Sequence, residues 1–195
     1  MKKYSITILF LLLGWVVKAQ EDITLFRFLS KNKENGKTYA LTTNLKDNTL
    51  VAKEITDQDF NFKTGYLDGF IVMPHPIFKS GQVLIVSAKD KTKFLKLNPQ
   101  TFKLEIGNYF THANKNNLDE NSYGWYLNFA GSNEEVHLQP PFLYTNALTL
   151  ENGSFKIKNM EDTKGNPADF GGSLSDGERI SDKQIFVIQK LTNSL

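Results

Sequence analysis

Phe94-Leu-Lys-Leu-Asn98-Pro-Gln-Thr-Phe-Lys-Leu104-Glu-Ile106 reads as two short strands folded about a turn. Apolar and polar residues alternate on both sides, the period of a half-buried strand, and Asn98-Pro99-Gln100 supplies residue types that suit a tight reversal. The same arrangement occurs twice more. Tyr39-Ala-Leu-Thr-Thr-Asn44 and Leu50-Val-Ala-Lys-Glu-Ile55 flank Lys46-Asp47-Asn48, and Phe142-Leu-Tyr-Thr-Asn146 and Phe155-Lys-Ile157 flank Glu151-Asn152-Gly153. The three hairpins begin near residues 39, 94 and 142. A spacing of about 50 residues points to a repeat architecture.

Outward from these hairpins, short runs rich in Val, Ile, Phe, Tyr and Thr recur between Gly, Asn, Asp and Pro, and no window after residue 20 carries a 3.6-residue apolar period. The pattern predicts strands near 23–29, 38–44, 49–55, 69–73, 82–88, 93–97, 102–109, 124–130, 134–138, 142–147, 154–159 and 184–191. The fold class is therefore all-β: about twelve short antiparallel strands in three similar four-stranded units. At this level the chain resembles β-trefoil proteins, through its repeated aromatic-Leu or Tyr-Ala-Leu strand, polar turn and second apolar strand. The resemblance implies a closed threefold fold over most of residues 20–195. The lectin-type Gln-x-Trp signature occurs in none of the units, so the resemblance carries no sugar-binding residue. Propeller-type blades and a β-sandwich are the alternatives; a propeller closes with four to eight four-stranded blades, whereas strands for about three are present.

The N-terminus has the layout of a secretory leader: Lys2 and Lys3, an apolar run from Ile6 to Val17, then Val17-Lys18-Ala19. The run is about 12 residues, short of the roughly 20 that span a bilayer as a helix. Residues 1–19 are expected to be a cleaved signal peptide and residues 20–195 a single all-β domain, exported to the periplasm or beyond, with no stable membrane insertion. Removal of Lys2, Lys3 and Lys18 leaves 20 basic residues against 21 acidic. Bulk charge then gives no support for a nucleic-acid partner. The chain has no cysteine, so stability rests on the core without disulfides, a combination with export that reads as bacterial. Arg27 and Arg179 are the only arginines, which limits bidentate recognition of phosphate or carboxylate.

Residues able to carry chemistry are dispersed. His75, His112 and His137 show no metal-ligand spacing, and no nucleophile elbow or phosphate-binding loop is present. Neither a cofactor nor a metal is expected. Asp119-Glu120, Glu134-Glu135 and Asp176 with Glu178 are the carboxylates that a glycan hydrolase could use if the fold assembled them. Asp162, Asn166, Asp169, Asp176, Glu178 and Asp182 are hard oxygen donors of the kind calcium takes, but their spacing matches no calcium loop. Two polar connections, 110–123 and 160–183, exceed the usual length for a compact domain. They direct attention to Tyr123, Trp125, Asp169, Asp176 and Glu178 as the binding residues. In a strand starting at Tyr123, however, Tyr123, Trp125, Leu127 and Phe129 share one face, which also suits core packing.

The reading that follows is a secreted or periplasmic binding module whose long loops contact a glycan or a protein. A glycan-active enzyme with carboxylates assembled by folding, and a structural or inhibitory protein of the cell envelope, are the alternatives.

Overall fold

The computed structural model describes residues 24–55, 66–76, 81–108, 122–130, 132, 134–140, 142–143, 145–168 and 179–191, with backbone alone at 66–67. Among them lie thirteen strands and no α-helix. They are β1 (Leu25–Ser30), β2 (Thr38–Asn44), β3 (Thr49–Ile55), β4 (Tyr66–Leu67), β5 (Phe70–Pro74), β6 (Gln82–Ser87) and β7 (Lys93–Leu97). β8 (Leu104–Asn108), β9 (Trp125–Phe129), β10 (Glu135–Gln139), β11 (Asn146–Glu151), β12 (Ser154–Asn159) and β13 (Phe186–Leu191) follow. The leader, residues 110–121, Asp169, Asp176 and Glu178 lie outside the described residues.

Six strands close into a ring. β1 pairs with β13, β13 with β10, β10 with β9, β9 with β6, β6 with β5, and β5 returns to β1, all antiparallel. Closure removes the free strand edges that an open array would offer to other chains. β2–β3, β7–β8 and β11–β12 form three hairpins. Their second strands, β3, β8 and β12, pack on one another. Each unit thus contributes a barrel strand, a hairpin and a second barrel strand: β1, β2, β3, β5; then β6, β7, β8, β9; then β10, β11, β12, β13. This is the closed threefold arrangement that the sequence resembles, with the short β4 added beside β2.

The core repeats with the strands. Phe28, Ile85 and Leu138 come from the first barrel strand of each unit, and Phe70, Trp125 and Phe186 from the last. Leu41, Leu95 and Leu148 come from the hairpins, and all nine are fully buried. Period-2 alternation places these side chains inward. Burial of a side chain this size stabilises by about 1.5–3 kcal/mol before the entropy of ordering it is subtracted.

One register differs from the expectation. The first strand of the third hairpin runs from Asn146 to Glu151, not over 142–147. Asn152 and Gly153, at φ +51° and +67°, make a two-residue reversal that pairs Glu151 with Ser154 and Leu148 with Ile157. Phe142 and Leu143 pack against the core from the preceding connection. The true internal match is Ala40-Leu41-Thr42 with Ala147-Leu148-Thr149: Thr42 Oγ1 donates to the Ala40 carbonyl (3.3 Å) and Thr149 Oγ1 to the Ala147 carbonyl (3.1 Å).

Candidate binding cleft

Two Asn-Gly turns meet at the junction of the first and third units. In the β1–β2 connection, Asn35 and Gly36 adopt φ +54° and +75°, and Lys37 N–H donates to the Glu34 carbonyl at 3.0 Å. These left-handed angles are cheap for Asn and Gly and match the twist of a tight hairpin. The other turn is Asn152-Gly153 at the tip of β11–β12. A two-residue turn leaves its two central N–H groups outside the strand ladder, and each needs an acceptor or water. Glu34 provides it: its carboxylate accepts from Asn152 N–H at 2.9 Å and Gly153 N–H at 2.6 Å. The contact joins positions 118 residues apart. Lys37 Nζ is held at 2.7 Å by Glu54 on the neighbouring strand.

Beside this contact opens a cavity of about 680 Å³. Asn32, Glu34, Asn35 and Tyr39 line it from the first unit, Glu151, Asn152 and Gly153 from the third, and Lys183 from the turn before β13. Glu151 receives hydrogen bonds from Lys158 and Lys156, and these two cations hold its carboxyl below the usual carboxylate range. It is therefore an anion at neutral pH, not a proton donor. The lining offers carboxylate and amide oxygens as acceptors, amide and ammonium groups as donors, and a tyrosine ring. That set suits a ligand rich in hydroxyl groups.

No protein-family model matches this chain, and no curated protein matches it in sequence. Solved structures do match in shape. Cry35Ab1 aligns with a TM-score of 0.53 at 14% identity, over 90% of this chain and 38% of its own. A GlcNAcα1-4Gal-releasing endo-β-galactosidase from Clostridium perfringens aligns with a TM-score of 0.53 at 12% identity, over 87% of this chain and 33% of its own. A β-trefoil named BEL aligns with a TM-score of 0.53 at 10% identity, over 90% of this chain and 98% of its own. The chain is a β-trefoil. It spans about a third of the length of the two larger proteins and nearly all of the third.

The trefoil core accounts for the two aromatic residues expected to bind. Trp125 is fully buried at the inward position that Phe70 and Phe186 occupy in the other units, and its Nε1 donates to the Leu95 carbonyl at 3.1 Å. Tyr123 is 3% exposed, meets Phe94 edge to face at 6.4 Å, and donates its hydroxyl to the Asn108 carbonyl at 3.1 Å. Neither ring has a face open to a ligand; packing uses both. Asp162 closes a local turn, accepting from Lys164 N–H and from the N–H and Nδ2 of Asn166, each at 2.8 Å. Glu135 pairs with Lys31 at 2.8 Å on the barrel wall. His75 is buried next to Gln82 and Gly124, where a side chain at residue 124 would collide with Gln82. Arg27 is buried against Asp68 at 2.8 Å, so one of the two arginines belongs to the scaffold. Among the described residues of the second long connection, Lys183 alone lines the cleft. The cleft residues were missed in the sequence because they are ordinary turn and strand-end residues, Tyr39 on β2 and Glu151 at the end of β11 among them; the two Asn-Gly dipeptides were the signal available.

Proposed function

We propose that this chain is an exported binding module that holds a hydroxyl-rich glycan in the cleft between its two Asn-Gly turns. The observation that carries the reading is the open, polar cleft in which amides, a paired carboxylate, a lysine and the Tyr39 ring face one volume. Hydrogen-bonding groups of both kinds beside an aromatic ring suit a sugar, which presents hydroxyls at its edge and C–H groups on its faces. The endo-β-galactosidase carries a domain-sized match to this fold and is named for a sugar substrate, which supports the ligand class without specifying a sugar. Acid–base hydrolysis at this cleft is disfavoured, because it needs one protonated carboxyl while Glu151 is held ionised and Glu34 holds two backbone N–H groups. The N-terminal leader pattern supports export.

The test is a glycan array probed with the purified protein, followed by calorimetric titration of the strongest hits against Tyr39→Ala and Lys183→Ala. Each variant is expected to weaken binding by about tenfold or more, equivalent to about 1.4 kcal/mol. An array without signal, or hits insensitive to both substitutions, would overturn the proposal.

A further inference from the structure

We infer that Glu34 is the positioning residue of the cleft: its carboxylate fixes the Asn152-Gly153 turn against the first unit and so sets the separation of the two walls. This rests on the binding reading above and adds the part of the molecule that determines whether the site is formed. Both walls are built around turns, which as a class are more mobile than the strands they connect. Glu34 is the only side chain among the described residues shown to hydrogen-bond from one turn to the other, and it does so through both oxygens, to two successive N–H groups. The first-unit turn is itself anchored, by the Lys37–Glu54 ion pair and the Lys37 N–H to Glu34 carbonyl bond. Anchorage of one wall is thereby passed to the other through a single side chain.

The matching connection of the second unit, between β6 and β7, uses its carboxylate differently. Asp90 Oδ1 accepts from Thr92 N–H at 3.0 Å and from Thr92 Oγ1 at 2.7 Å, closing its own turn, and among the described residues its carboxylate is not shown to bond to another unit. A carboxylate one methylene longer, placed before Asn35-Gly36, spans the junction instead.

Amide hydrogen exchange and ligand affinity, measured on the same proteins, test this separately from the glycan reading. Wild type, Glu34→Ala and Glu34→Gln are compared, with lactose and N,N′-diacetylchitobiose as probes. In Glu34→Ala the Asn152 and Gly153 amides are expected to exchange at least tenfold faster, while amides of the β1–β13 ladder and the melting temperature stay close to wild type. Affinity for whichever probe the wild type binds falls at least tenfold. Glu34→Gln, which keeps one acceptor oxygen, recovers part of both effects. A purely structural role would move the melting temperature and the ladder amides together with the turn. Unchanged exchange at Asn152 and Gly153 overturns the inference, as does release of the turn with affinity unaltered. If the wild type binds neither probe, the glycan reading loses support while the exchange data still decide the role of Glu34.

Discussion

His137 lies on β10 between the buried Val136 and Leu138, so alternation turns its ring to the outer wall of the barrel, opposite Asn128. Burial pushes its pKa down from 6.5 to about 4, because it strips hydration from the imidazolium. Its Nδ1 has no hydrogen-bond partner among the described residues. In the unfolded chain the same group titrates near its ordinary value, so between about pH 6.5 and 4 the unfolded state holds the extra proton and stability falls as pH falls. Partial solvent access limits the effect to about 2 kcal/mol. Urea unfolding at pH 7 and pH 4.5 should show a drop in the wild type that exceeds the drop in His137→Gln by that amount. Equal drops would assign acid sensitivity to carboxylates alone. At this scale the sequence was only partly legible. The single core face that alternation assigned to Tyr123, Trp125, Leu127 and Phe129 divides in the structure: Trp125 enters the central core, Tyr123 lies before the strand and packs with Leu84, Val86 and Phe94, and Phe129 is 67% exposed. That Trp125 occupies the same core layer as Phe70 and Phe186 needs the register of all three units.

The hairpins repeat a backbone feature that only their pairing exposes. Leu50, Leu104 and Phe155 are the matching positions of the second strands, paired with Thr43, Leu97 and Leu150. Two residues before each stands a left-handed residue: Asn48 at φ +56°, Phe102 at +53° and Gly153 at +67°. Asn and Gly adopt this conformation at little cost, whereas a bulky aromatic is strained in it. Phe102 is 53% exposed, so packing recovers only part of that strain. The loop is imposed on it by Asn98, whose Oδ1 accepts from the N–H of Gln100 and Thr101 and whose carbonyl accepts from Phe102 N–H at 2.8 Å. Phe102→Asn, which copies the first unit, is expected to raise the free energy of unfolding by about 0.5–1 kcal/mol, read as a higher urea midpoint at unchanged slope. A lower midpoint would mean that the ring contributes more packing than its exposure suggests. Most strands were legible within two residues because half-buried alternation is a local signal. The third hairpin was misplaced because Phe142-Leu143 imitates the aromatic-Leu opening of Phe94-Leu95. Its register follows from the two-residue turn, which permits only one pairing across Asn152-Gly153.

Closure of the barrel through β1 and β13 joins the first and third units and creates the junction where the cleft lies. That junction was beyond reach in the sequence, since Glu34 and Gly153 are 119 residues apart and only the threefold wrap brings them together. The threefold relation offers the same junction three times, between a unit's first connection and the hairpin tip of the unit before it. The copies differ in chemistry. Glu34 reaches across in the first, while Asp90 folds back on Thr92 in the second. The third connection, residues 140–145, contains no Asp or Glu that could take the part of Glu34. Threefold symmetry of the backbone therefore does not extend to the site, and a glycan found on the array should bind at one molecule per chain. Calorimetric titration reads this directly. A stoichiometry of three would mean that the shared backbone geometry recognises the ligand and that Glu34 is incidental. A stoichiometry of one that disappears in Glu34→Ala would place recognition in the single junction whose two walls are tied together.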